Sequence, residues 1–375
     1  MEYQLVENQK ELDSYIAEMK KCEYLAIDTE FIRRSTYYPK LSLIQICFKP
    51  KFAIIIDCLS TLNLDVFIDE IIYNPKIIKV FHSSKQDLEI FYYKKKSLPT
   101  NVFDTQLAVM LINFTKDISY EKMVKDLLNT ELDKSLSTSN WLQRPLSKEQ
   151  QDYASNDVLY LYEAYTAILK LLEKHNRLTW LENLFDSLED VHTYENSIEK
   201  DLTKATNDLS KESINIMYSL LMWREEHAKK IDIPRSFLLD TEVIKEISKK
   251  APATKEDLKK IVGSMKDRML KTIFEIVQSP AENPIIIKRN PSLNKSQAEI
   301  YNILRVILSH VATTKKVHNS LIASNDDLID VVFNKENSQA KFLNGWRFEI
   351  FGSLVLDFLE EKKSLKIKGN KISLE

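Results

Sequence analysis

Tyr24-Leu25-Ala26-Ile27-Asp28-Thr29-Glu30-Phe31 is the stretch on which the reading of this chain turns. It is short, dense in Leu, Ile and Phe, and reads as a buried strand, yet it carries two carboxylates near its end. Residues two apart on a strand project to the same face, so Asp28 and Glu30 point to one place. Like charges so placed persist when one takes a proton or a cation lies between them. Taken alone, the pair is more readily explained by one carboxylate capping a loop and the other facing water.

Similar apolar runs follow at Leu41–Phe48, Phe52–Asp57 and Ile77–Phe81, with Lys49-Pro50-Lys51 placed as a hairpin turn. Helical patterns then occupy Gln86–Tyr93, Asp104–Phe114, Tyr120–Leu128 and Lys148 to Lys174. Strands first and helices after predict an α/β domain over residues 1–190, a mixed sheet flanked by helices. Residues 191–210 turn polar and read as a linker or a poorly packed helix. Beyond them the pattern is wholly helical. One small bundle is expected over 211–290, with helices near Lys211–Lys230, Thr241–Lys249, Thr254–Val262 and Asp267–Gln278. After Pro280, Pro284 and Pro291 a second all-α bundle is expected over 291–375, its helices running from Ser296 to about Glu361.

The glycine census excludes whole classes. The chain holds four glycines, the first of them Gly263. A P-loop or a dinucleotide fingerprint needs glycine where backbone approaches phosphate, so neither exists before that point. Three cysteines, with no C-x-x-C pair, argue against a disulfide framework or a zinc knuckle and fit a reducing cytoplasm. No apolar run is long enough to span a bilayer. The net charge of −2 gives no gross signature of nucleic-acid binding, although phosphate is held by local patches. Residues Lys245 to Arg289 carry 11 Lys+Arg against 6 Asp+Glu, a surplus that suits a phosphate-binding face or simply a solvated one.

Two further acidic positions join the first pair. Asp87 follows the Ile77–Phe81 run in Phe81-His82-Ser83-Ser84-Lys85-Gln86-Asp87, where Ser83 or Ser84 can cap a helix and an acid in the first turn suits the helix dipole. His82 reads first as a hydrogen-bonded packing residue. Tyr153 and Asp157 are four apart in a strongly helical stretch and share a face. Together Asp28, Glu30, Asp87 and Asp157 form a set of hard oxygen donors suited to Mg²⁺ or Mn²⁺, and no histidine pair at i, i+4 suggests zinc.

These motifs, in order, resemble the ribonuclease D family of the DEDD exonuclease superfamily, in its tyrosine subclass. Asp28-Thr29-Glu30-Phe31 is similar to the first exonuclease motif, His82 to Asp87 to the second, and Tyr153-Ala154-Ser155-Asn156-Asp157 to the third. Thr36-Tyr37-Tyr38-Pro39, Leu43-Ile44-Gln45, Phe103-Asp104-Thr105-Gln106 and Trp141-Leu142-Gln143-Arg144-Pro145-Leu146 resemble signatures lying between them. Trp223-Arg224 with Ala228, Pro234 and Pro252 resembles the helicase-and-ribonuclease-D C-terminal (HRDC) domain, and Gly345-Trp346-Arg347 a signature of a second copy. Ser42, Asn140 and the Asn129-Thr130 region depart from the family pattern, which expects glycine, aspartate and glycine there.

The resemblance implies a ribonuclease H-like exonuclease fold followed by two HRDC-like domains. It also implies a 3′-5′ exoribonuclease that releases nucleoside 5′-monophosphates with two divalent metal ions. Asp28, Glu30 and Asp157 would hold the metal that activates water, Asp28 would bridge to a second metal, and Asp87 would stand in that metal's outer shell. Tyr153 would orient the attacking water or help take its proton. Phe31, Gln45 and His82 are expected beside the terminal nucleotide. The expected partner is RNA with a single-stranded 3′ end, precursor tRNA above all; no membrane is involved, and a cytoplasmic monomer is expected. A DNA 3′ exonuclease and an inactive nucleic-acid-binding module are the alternatives. The paired HRDC-like domains favour RNA over DNA, and the retained carboxylates favour catalysis over mere binding.

Overall fold

The computed structural model describes residues 2–112, 115–133, 135–195, 197–205, 209–283, 292–369 and 371–375. A six-stranded sheet has the order β1-β4-β3-β2-β5-β6, with β1 Glu2–Val6, β2 Tyr24–Ile32, β3 Lys40–Lys49, β4 Phe52–Asp57, β5 Ile78–Phe81 and β6 Val102–Asp104. β2, β3 and β4 are antiparallel neighbours, while β1 on β4 and β5 and β6 beyond β2 run parallel, so the sheet is mixed as expected.

The pleat of β2 sorts its residues. Leu25 and Ile27 face a core shared with Ile44, Ile46, Ile54, Ile56 and Phe81, under helices α1 (Gln9–Met19) and α2 (Lys85–Lys95). Ala26 faces the other way, with Cys47, Ala53 and Val80, against α4 (Lys148–Lys174). Small side chains on that face, and Ala154 and Ala164 on the helix, let α4 lie close across the sheet. Asp28 and Glu30 stand on the α4 side by the same alternation. α4 starts sharply because Ser147 and Gln150 form a capping box. Ahead of it, α3 (Tyr120–Leu128) closes at Asn129, which adopts the left-handed conformation (φ 54°). Asparagine thus does there what the family's glycine does.

Several expectations change. Strands β1 and β6 and helix α1 are additional elements. The helix expected over Asp104–Phe114 is shorter: Asp104 caps Thr105–Val109, a 3₁₀ turn ends at Ile112, and Phe114 lies outside the described residues. The polar stretch 191–210 takes the helical of its two readings. Short helices form at His192–Glu195 and Ser197–Ala205; Tyr194 joins the sheet core, and Leu202, fully buried, joins the first helical domain. A carboxylate in this stretch, Asp201, pairs with buried Arg224 at 3.0 Å.

The two helical regions sit differently. Helices Lys211–Ile231, Thr241–Lys250, Lys255–Val262 and Asp267–Gln278 enclose a core of their own. The second region, built on the helix Lys295–Lys315, merges with the core beneath α4, and Trp180 stacks on Trp346 at 4.4 Å and 8°. It is not all-α, since strands Leu365–Lys368 and Lys371–Leu374 pair as a terminal hairpin. Pro284, Pro291 and the basic end of the Lys245–Arg289 stretch fall outside the described residues. Among the described residues no helix is long and apolar enough to cross a membrane.

Candidate active site

The third and fifth residues of the decisive motif, counted from Ala26, end on one wall of a cavity of about 240 Å³. α4 supplies the facing wall with Tyr153 and Asp157, and α3 adds Tyr120 and Glu121. Ligand atoms of Asp28, Glu30 and Asp157 all lie within 4.8 Å of one another, so one strand and one helix converge three carboxylates on a single point. A β-bulge between Glu30 and Phe31 shifts the register of the pairing with β3 immediately beyond them.

Thr29 faces the opposite side and ties in the fourth acid. Its hydroxyl donates to Asp87 Oδ1 at 2.5 Å. Asp87 is buried in the first turn of α2, so it is held one residue away from the trio by the strand that carries them. β6 fixes the start of α2: Asp104 accepts hydrogen bonds from the backbone N–H groups of Ser83 and Ser84.

Burial drives the electrostatics. It raises the Asp28 carboxyl to about 7. Glu30 goes to about 10, from burial first and then from the charges of Asp28, Asp157 and Asp87. Asp87 and Asp157 move well above the ordinary carboxylate range for the same reasons. Without cations the cluster holds protons where it is built to hold charge. Oxygen donors, close convergence and mutual repulsion all fit divalent metal ions. The Tyr153 hydroxyl is also raised, by burial and then by Asp157 and Glu30, which keeps it a neutral phenol.

The expected nucleotide neighbours fare unequally. Phe31 is half-buried at the end of the strand, just past the bulge. His82 lines the cavity, but its Nε2 meets the carbonyl of Ile118 at 3.0 Å and its Nδ1 the hydroxyl of Thr105 at 2.9 Å. Only the ring remains to meet a ligand. Gln45 pairs with Asp28 across the strands, is fully buried, and has neither amide atom hydrogen-bonded, so it presents no surface to a nucleotide. Sequence reasoning passed over Glu121, whose charge also raises Asp157. In sequence it is one more acid after a serine cap, and only the fold turns it toward the cavity.

The Trp141–Leu146 signature proves to be a brace. Arg144 donates to both oxygens of Asp57, from Nε at 2.6 Å and Nη2 at 2.7 Å. Its Nη1 donates to the Trp141 carbonyl, and the Ser42 hydroxyl donates to that same carbonyl at 2.5 Å. Ser42, standing where the family expects glycine, therefore adds a clasp. The Trp141 ring in turn packs on Tyr153 at 5.9 Å.

The comparisons with known proteins agree with this architecture. The family profile described as 3′-5′ exonuclease matches residues 3–173, and the HRDC domain profile matches residues 214–278. Ribonuclease D of Bartonella henselae is 31% identical, covering 98% of this chain and 93% of its own. Ribonuclease D of a Jannaschia species is 32% identical, covering 97% of each. The crystal structure of Escherichia coli RNase D shares the fold at a TM-score of 0.79 and 24% identity, covering 96% of this chain and 99% of that one. On identity over essentially the full length, the chain belongs to the ribonuclease D family.

Proposed function

We propose that this 3′-5′ exoribonuclease works at the cavity between β2 and α4, with Asp28, Glu30 and Asp157 as direct metal ligands and Asp87 in support. The observation that carries the reading is the convergence of those three carboxylates, from a strand and a helix, with Tyr153 in the same cavity. Bound there, two divalent cations, Mg²⁺ or Mn²⁺, supply a water of lowered pKa and offset charge on the departing 3′ oxygen. Asp28, whose charge acts on Glu30, Asp87 and Asp157 alike, would be shared between the two cations. Asp87, fixed by Thr29, would help hold the second. Tyr153 orients the attacking water as a neutral hydrogen-bonding phenol. Phe31 and the ring of His82 flank the last base. The products are nucleoside 5′-monophosphates.

The substrate is RNA with an unpaired 3′ end, precursor tRNA foremost, and the protein acts as a cytoplasmic monomer. The basic surplus of the first helical domain supports a phosphate-tracking role for it. The test is a time course on 5′-labelled RNA carrying a single-stranded 3′ tail, run with Mg²⁺, Mn²⁺ or a chelator. A 3′-phosphate-blocked RNA and a matched DNA run beside it. The expected result is a metal-dependent ladder shortening from the 3′ end, stalled by the block and weaker on DNA. RNA binding without any ladder would sink the catalytic assignment.

A further inference from the structure

One signature has no part in the chemistry above. Thr36-Tyr37-Tyr38-Pro39 lies between β2, which ends at Ile32, and β3, which begins at Lys40. Sheet pairing does not hold it; the first helical domain does. Asp232 Oδ1 accepts from the backbone N–H groups of both Tyr37 and Tyr38, each at 3.0 Å. The Tyr37 hydroxyl donates to Glu225 at 2.5 Å and accepts from Arg235 at 2.8 Å, while the Arg235 guanidinium covers its ring at 4.9 Å. Tyr37 is 3% exposed, its ring and hydroxyl covered by the helical domain.

The turn is also coupled inward. The Tyr37 carbonyl accepts from Arg33 Nε at 3.1 Å, and Arg33 Nη1 pairs with Glu89 at 2.6 Å. Glu89 is on α2, two residues beyond Asp87. Tyr93, one turn farther along α2, donates to Glu89 at 3.2 Å and packs edge-on against Tyr38 at 4.9 Å and 85°. One chain of contacts thus runs from the helical domain through Tyr37 and Arg33 to the helix that carries Asp87.

We propose that the first helical domain, docked on Tyr37, is a positioning element of the catalytic centre as well as a grip on RNA. Tyr37 and Glu225 set the placement of α2, and through it Asp87, relative to the carboxylates of β2. The inference rests on the assignment of Asp28, Glu30, Asp87 and Asp157 to metal. A domain that only grips RNA matters for long substrates alone. A positioning domain matters even for a substrate that occupies nothing but the catalytic cavity.

The test uses the full chain and the p-nitrophenyl ester of a nucleoside 5′-monophosphate, which fills a single nucleotide position. In Tyr37→Phe and Glu225→Gln we expect kcat on this ester to fall on the order of 10-fold with KM unchanged. Mn²⁺ affinity, read by calorimetric titration, should weaken roughly 10-fold as for other supporting-shell losses. The double variant should fall no further than the worse single one, because both changes open one network. Should Glu225→Gln melt below the assay temperature, Tyr37→Phe, which keeps the ring and loses one hydroxyl, carries the test. Wild-type kcat and Mn²⁺ affinity in the variants, with loss confined to long RNA, would overturn the proposal. Should the wild type hydrolyse the ester no faster than Asp28→Asn, the carboxylate assignment itself has failed.

Discussion

At the junction with the first helical domain, Glu225 is buried with its cations supplied: Arg235 holds both of its oxygens and Lys229 stands at 3.0 Å. At the end of β2, Asp28, Glu30 and Asp157 are gathered as closely, yet no lysine or arginine is among the described residues lining their cavity. The carboxyls respond in opposite directions. Burial alone would raise Glu225, but Arg235, Tyr37 and Lys229 bring it down to about 2. Asp57, gripped by Arg144, likewise sits below its usual range despite burial. The β2 cluster moves up instead, Glu30 to about 10. Where the fold brings its own cation, the charge is structural; where it withholds one, we read the site as made for an ion from solution.

The sharpest way to break this contrast is at its uncompensated end. Asp28→Asn should lower kcat by at least about 10³-fold while the metal-free protein melts no lower than wild type, since a buried like charge has gone. Calorimetry beside single-turnover assays checks both halves. A variant that is active, or grossly unstable, would put Asp28 with the structural carboxylates.

Next comes the compensated end. Glu225→Gln leaves half-buried Arg235 with a weaker partner and should cost about 3 kcal/mol in urea unfolding at neutral pH. Because the folded pKa is depressed, that contribution is present above the ordinary glutamate value and lost as pH falls through about 2. The stability gap between wild type and variant should therefore stay constant from neutrality to about pH 5 and close toward pH 2. A gap that persists in acid would mean packing, not charge, holds the junction.

A smaller effect should come from the ion itself. Mn²⁺ at 100 times its dissociation constant should stabilise the wild type by about 2.7 kcal/mol, and Asp157→Asn should lose most of that shift in a thermal melt. Smallest is Ser42→Gly, which restores the family residue but removes a hydroxyl between Arg144 and Trp141. We expect a loss of about 1 kcal/mol with kcat within about twofold, because Arg144 still holds Asp57.

Much of this was legible in the sequence. β2, β3, β4 and β5 are dense apolar runs with turn residues between them, and Tyr153 and Asp157 fall on one face of a well-capped helix. The elements that escaped carry thin signals. β1 is an edge strand with mostly exposed or half-buried residues, β6 has three residues, and α1 buries only Leu12, Ile16 and Met19. The stretch taken for a linker hides Leu202 and Ala205 among charges. Scarce glycine also removed the usual punctuation, for helices here close on left-handed Lys96, Asn129, Asp232, Ala251 and Lys316. The terminal hairpin was missed, although Leu365-Lys366-Ile367-Lys368 and Lys371-Ile372-Ser373-Leu374 alternate about Gly369-Asn370. Glu121 and the burial of Gln45 could not be read, because both depend on which elements meet.

The stacked tryptophans at the second helical region have an optical consequence. Trp180 and Trp346 lie face to face, with the guanidinium of Arg177 over the first at 4.8 Å and that of Arg347 over the second at 4.5 Å. Two indoles so close share excitation, and their emission depends on that contact. Trp141 and Trp223 sit apart from the pair, one against Tyr153 and the other against His227. The molecule thus carries its own fluorescent gauge of whether its last domain is seated, readable in real time and without a label.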